Sequence, residues 1–124
     1  MLAHAKLQTI VWTADLARAE PFYSQVLGLA LKGRSHGALV YDVSGGELRV
    51  SPVPTTSPSA HTVLGFQVDD VQAVAGALQA AGLQAERFEG FQHAGDGVWR
   101  APDGTQVVWF RDPDGNLLSA VRYG

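Results

Sequence analysis

The chain contains no cysteine, which excludes a disulfide framework, a thiolate nucleophile and a cysteine metal site. Long apolar runs are also missing. Residues 1–7 carry neither the apolar stretch of a signal peptide nor a spanning segment, so the sequence reads as cytoplasmic, with no membrane partner. Basic residues are few: nine Lys and Arg stand against twelve Asp and Glu, for a net charge of −3. A nucleic-acid backbone needs clustered cations, and here they are scattered, which argues against nucleic acid as a partner. There is no Gly-x-Ser-x-Gly elbow, no His-Glu-x-x-His and no phosphate loop. What is present suits a globular fold: 124 residues, 46% hydrophobic and 17% charged, are enough for one ordinary domain with a real core.

Residues 6–13 are rich in β-branched and aromatic types and predict a strand. Asp15 then stands as a helix N-cap. Leu16, Ala19, Phe22 or Tyr23, and Val26 recur at helical spacing, and Gly28 supplies the left-handed stop. Pro21 costs an interior hydrogen bond, so a kink is expected there, or a helix that starts properly only near Glu20. Strand-like stretches follow at 29–33, 38–43 and 48–53, the last two joined by a turn at 44–47. Residues 54–60 form a polar linker carrying two prolines.

The order then repeats. Residues 61–68 predict a strand, Asp69 or Asp70 a cap, and Val71, Val74, Leu78 and Ala81 an apolar helix face stopped by Gly82. The interval from Asp15 to Gly28 equals that from Asp69 to Gly82, and a leucine follows both glycines. Residues 84–91 predict a further extended stretch, and 97–101 a short extra strand. Pro-Asp-Gly turns at 102–104 and 113–115 bound two final strands, 106–111 and 117–123. The reading is an α+β fold of two tandem βαβββ modules, 1–53 and 61–124.

Three stretches carry a family resemblance. Residues 13–29, Phe66-Gln-Val-Asp-Asp70 and residues 109–118 resemble, in order, the first strand-helix signature, the second-module start and the last hairpin of vicinal-oxygen-chelate (glyoxalase-like) proteins. The resemblance implies modules that curl into a cup-shaped mixed sheet with helices outside, usually in a homodimer. It also implies a small-molecule ligand in the cup. The family spans glyoxalases, extradiol dioxygenases, fosfomycin-resistance enzymes, epimerases and drug-sequestering bleomycin-resistance proteins, so the fold alone does not settle function.

Family enzymes hold a divalent metal (Ni, Zn, Mn or Fe) through side chains on the cup face, one of them usually a carboxylate. Matching those positions residue by residue gives Gln8 on the first strand, Val63 on the strand that opens the second module, and Ser119 on the last strand. Only Gln8 is a plausible ligand among them, with His61 a substitute because it shares the strand face of Val63. No metal cofactor is therefore expected. The remaining cup-facing candidates are Trp12, Gln67 and Leu117. His93 sits in a glycine-rich loop and reads as a solvent-exposed histidine, the alternative being a lid; Arg100 reads as a solvated arginine beside a turn, the alternative being a partner for a ligand carboxylate. Three readings stay open: a metal-independent small-molecule binding protein, a metal-dependent lyase, isomerase or dioxygenase, and a regulatory domain whose working surface is a dimer face.

Overall fold

In the computed structural model, which describes residues 1–124, β1 (Gln8–Thr13) forms where the β-branched residues cluster. Val11 and Thr13 point into the interior while Gln8, Ile10 and Trp12 stay exposed, the alternation of a half-buried strand. The chain then turns at Asp15, whose carboxylate accepts from the N–H groups of Ala17 (3.0 Å) and Arg18 (3.3 Å) and so caps α1 (Leu16–Pro21). Pro21 does not delay this helix. It ends it, and the next turn, Phe22–Val26, is wound as a π-helix with Leu27 N–H donating to Phe22 O at 2.9 Å. Proline cannot donate to the carbonyl four residues back, and a widened turn beside it resolves the conflict. Gly28, at φ +70°, stops the element.

Three strands complete the first unit: β2 (Ala30–Ser35), β3 (Ala38–Val43) and β4 (Gly46–Pro52). The turn between β3 and β4 is tighter than the sequence suggested. Ser44 and Gly45 alone span it, both at positive φ, and Val43 pairs directly with Gly46. The sheet order is β1-β4-β3-β2, with β1 and β4 parallel and the other pairs antiparallel. Its helix side buries Phe22, Tyr23, Leu39, Tyr41, Leu48 and Val50. Tyr23 and Tyr41 lie 6.0 Å apart, and the Tyr41 hydroxyl reaches Ser24 Oγ at 2.8 Å.

The second unit has the same plan: β5 (Thr62–Gln67), α2 (Val71–Ala80), β6 (Trp99–Arg100), β7 (Gln106–Arg111) and β8 (Leu117–Arg122), in sheet order β5-β8-β7-β6. Again the outer pair that closes the βαβββ path, β5 and β8, is parallel. The cap of α2 is Asp70, accepting from Ala73 N–H at 3.0 Å. The cap-to-glycine interval is therefore one residue shorter here than in the first unit, and the π-wound turn absorbs the extra residue there. Val71, Ala75, Val98, Val108 and Ala120 form one packed cluster between helix and sheet.

One expected element is absent. Residues 84–91 form no strand; they touch the sheet through a single bridge, Glu86 to Trp109, and then turn away. The Asp112–Asn116 turn is built as the sequence suggested, with Asp112 Oδ1 accepting from the N–H groups of Asp114 and Asn116, each at 2.9 Å. Arg111 secures it, donating to the carbonyls of Gly115 (2.6 Å) and Ser59 (2.9 Å) and pairing with Glu86. The chain is thus α+β, two four-stranded mixed sheets each with one helix, and divides into compact units at Ser57/Pro58. No helix is long and apolar enough to cross a membrane.

Candidate functional site

Each sheet has one face packed on its helix and one open face, and side-chain alternation assigns every candidate residue to one of the two. In the first unit the register places Gln8 beside Glu47, Ile10 beside Arg49, and Trp12 beside Ser51 on the open face. Trp12 is 61% exposed, so it is not part of this unit's core. Arg49 lies flatter: its guanidinium donates to Ser35 O at 2.8 Å and stands 3.9 Å from Glu47. A shallow depression of about 270 Å³ opens beside it, lined by Gly33, Ser35, Val40 and Glu47 among others.

In the second unit the open face is read from β5 and its neighbours. Leu64 turns inward, whereas Gly65 and Gln67 are exposed, with a register irregularity at Val63. Gly65 is in register with Ser119, and Ser119 with Trp109. Ser119 is only 8% exposed, yet its hydroxyl makes no hydrogen bond. A Cβ at position 65 would stand 3.3 Å from that hydroxyl, so glycine there leaves the oxygen uncovered. Leu117, expected to contribute wall, is almost fully buried between Arg111 and Thr62. His61, just before β5, and Val63, within it, are both exposed.

Beyond Ser119 the open face becomes aromatic. Trp99 and Trp109 lie 6.1 Å apart, and Phe91 packs on both, at 4.8 and 5.9 Å. Phe88 meets Trp109 edge-on at 5.2 Å, a favoured geometry for ring quadrupoles. Phe88 and Phe91 come from the segment 84–97, which lies over the sheet as a strap. His93 belongs to this cluster, 6.0 Å from Trp109. It is half-buried, not solvent-exposed as its glycine-rich surroundings suggested: Phe88 N–H donates to its Nε2 at 3.0 Å, and its Nδ1 reaches Gly97 O at 2.7 Å. Arg100 is exposed, as read. Phe88 and Phe91 were missed as site residues because the whole stretch 84–91 reads as extended.

The metal positions can now be judged by their chemistry. Gln8 offers a neutral amide, Val63 no donor and Ser119 a neutral hydroxyl. Divalent ions of this family's kind favour imidazole and carboxylate, and no group of three or more His, Asp or Glu side chains comes together. The internal repeat adds a fourth position. Ser119 pairs with Gly65, two residues beyond Val63; the counterpart in the first unit pairs with Ile10, two beyond Gln8, and is Arg49. A fixed guanidinium is the opposite of a cation ligand. These residues do not fit a divalent metal.

A family model described as Glyoxalase/Bleomycin resistance protein/Dioxygenase superfamily matches residues 2–119. Among solved structures, a lactoylglutathione lyase from Agrobacterium tumefaciens is 22% identical with a TM-score of 0.74, covering 96% of this chain and 93% of its own. A fosfomycin resistance protein from Listeria monocytogenes is 12% identical with a TM-score of 0.73, over 95% of this chain and 92% of its own. A virulence protein from Salmonella typhimurium is 17% identical with a TM-score of 0.69, over the full length of both chains. At such identities the likeness is one of fold. No curated protein matches the chain.

Proposed function

The chain belongs to the Glyoxalase/Bleomycin resistance protein/Dioxygenase superfamily, and on that premise we propose that it binds a small organic molecule on its open sheet faces without a metal ion. The observation that carries this reading is Ser119. Where the family's metal enzymes place a carboxylate, this chain has a largely buried serine whose hydroxyl has no protein partner and stays accessible, uncovered by Gly65 and walled by Trp109. That oxygen is not sealed from solvent, so a ligand hydroxyl or N–H can reach it and add a hydrogen bond worth about 1 kcal/mol net. Trp109, Trp99 and Phe91 offer such a ligand an apolar ring surface, and Gln67 a second polar group. A mostly apolar surface with few polar groups is the usual composition of a ligand site.

The test is a fragment screen read by quenching of tryptophan fluorescence, run on chelator-treated and metal-loaded protein. Ring-bearing fragments with a carbonyl or hydroxyl edge are expected to bind equally in both, and Ser119→Ala to weaken them about five- to tenfold. Binding seen only after metal loading, or none in either sample, overturns the reading. We also take the protein to be a cytoplasmic homodimer, in keeping with the exposed Leu7, Ile10 and Trp12 and the lack of cysteine. A monomeric mass by light scattering counts against the dimer.

One observation favours a second reading, a divalent-metal lyase, isomerase or dioxygenase. Glu47 lies in register with Gln8 on the open face and supplies a carboxylate that the strand signatures alone did not reveal. Stoichiometric Ni, Zn, Mn or Fe in protein purified without chelators supports that reading, and its loss on Glu47→Gln locates the metal.

A further inference from the structure

The strap over the second sheet is held by one side chain whose hydrogen bonds fix its protonation state. An amide N–H can only donate and a carbonyl can only accept. Phe88 N–H on Nε2 therefore requires that nitrogen to be bare, and Gly97 O on Nδ1 requires a proton there. His93 is a neutral imidazole in its Nδ1–H form, tying together two strap positions nine residues apart at the base of the aromatic cluster. From this we propose that His93 is a positioning residue: as a neutral ring it holds Phe88 and Phe91 against Trp109, and on protonation it releases them.

The physical step is simple. A proton added at Nε2 converts the acceptor into a donor and sets N–H against N–H at Phe88. The bond is lost and a repulsion replaces it. Other strap contacts survive the change: Glu86 N–H on Trp109 O, Ala94 N–H on Val98 O, and Arg87 on Gly95 O. The bridge between His93 and Trp99 also stays, so release is local to Phe88 and Phe91, which are otherwise held by Phe91 N–H on Phe88 O at 3.2 Å and by ring packing on Trp99 and Trp109. The charged groups of the surrounding elements are engaged elsewhere or exposed. Glu86 pairs with Arg111, Asp96 accepts from Val98 N–H, and Glu89 and Arg100 face solvent. None of them hydrogen-bonds the imidazole, so no neighbouring carboxylate compensates the proton.

The consequence for the site rests on the ligand surface proposed above. With the strap closed, Phe91 covers part of Trp109 and Trp99; with it open, both indoles are uncovered. Acidification then changes the shape of the surface on which the ligand lies.

The experiment reads the strap directly, without any ligand. In nitrogen-15 labelled protein, long-range ring correlations of His93 are expected to show the Nδ1–H form at about pH 8, and the indole resonances of Trp99 and Trp109 to shift between about pH 8 and pH 5, the interval in which histidine side chains change charge. Protection of the Phe88 amide from hydrogen exchange, corrected for intrinsic rate, should fall about tenfold over the same interval. His93→Gln, which can accept from Phe88 and donate to Gly97 but does not titrate, should keep the strap closed at both ends. His93→Phe should leave it open throughout. An Nε2–H ring at about pH 8, indole resonances that ignore pH, or a His93→Phe variant with wild-type protection at Phe88 overturns the proposal. If the strap responds but no fragment binds, the ligand reading fails and this one stands; fragments that bind a strap indifferent to pH show the reverse.

Discussion

The two units share one topology and distribute their aromatic side chains differently over its faces. In the first, Phe22, Tyr23 and Tyr41 lie between helix and sheet, and the open face carries charge and amide groups: Gln8, Glu47 and Arg49 beside Ile10 and Trp12. In the second, Phe110 shares the helix side with smaller aliphatic groups such as Val71, Ala75, Val108 and Ala120, and the rings of Trp99, Trp109, Phe88 and Phe91 cluster on the open side. Both arrangements satisfy a βαβββ fold, because the fold asks only that the helix-facing side be apolar. The fold therefore leaves open which face receives the larger rings. Aromatic bulk next to a helix stabilises; aromatic bulk on an open face is surface kept available, at the expense of packing it could have provided.

The largest expected effect tests that contrast directly. Tyr41 is fully buried, so Tyr41→Ala should cost about 3–5 kcal/mol in unfolding free energy, the range for removing a large ring from a core. Trp109 is a bigger side chain but only partly buried, and Trp109→Ala should cost about 1–2 kcal/mol while abolishing fragment binding. Urea titrations of the two variants decide it. Equal losses would mean that the second unit's rings are core and not surface.

Gly97 sharpens the comparison at the strap, which has no counterpart in the first unit. It sits at φ +90°, and a Cβ there would come 2.4 Å from the Cβ of Ala85, with the backbone behind it. Both the conformation and the clash oppose a side chain, so Gly97→Ala should cost about 2–3 kcal/mol and disturb the Trp99 and Trp109 signals together. Gly82→Ala is the control, since it shares the positive φ but meets nothing within 4 Å; it should cost about 1 kcal/mol. A Gly97→Ala variant no worse than the control would show that the strap is looser than drawn.

Much of the architecture was legible because its signals are local. Asp15, Gly28, Gly82 and the Pro-Asp-Gly turns each act within a few residues, and alternation along single strands assigns the faces of Trp12, Gln67 and Ser119. The cap of α2 was ambiguous between Asp69 and Asp70 for the same reason: either carboxylate can serve locally, and the choice depends on where β5 ends. The strap was legible only as a glycine-rich loop that could act as a lid. Phe88 and Phe91 look like strand residues, and what diverts them is the left-handed backbone at Gly90 and Gly97 together with His93, whose partners are backbone atoms brought near by the path of the loop itself. Arg49 and Glu47 were equally hidden, because their meaning comes from register with β1, a parallel pairing that no short stretch of sequence encodes.

The smallest expected effect returns to the first unit's buried rings. Burial raises the Tyr41 hydroxyl above its ordinary value near 10; Ser24 opposes the shift, Glu20 adds to it and Arg34 works against it. Since the folded state holds this proton more tightly than the unfolded chain, the contribution is fully present below pH 10 and is lost as pH rises through the raised value. Stability should therefore decline on the alkaline side, with a slope no steeper than the one-proton limit of about 1.4 kcal/mol per pH unit. Tyr41→Phe removes the titrating group, and its stability curve should lie flatter than that of the wild type above pH 10. The difference between the two curves, and not either alone, is the measured quantity. Parallel curves would mean that the Tyr41 ring admits water, and the first unit's helix-side packing would then be no tighter than the open aromatic face of the second.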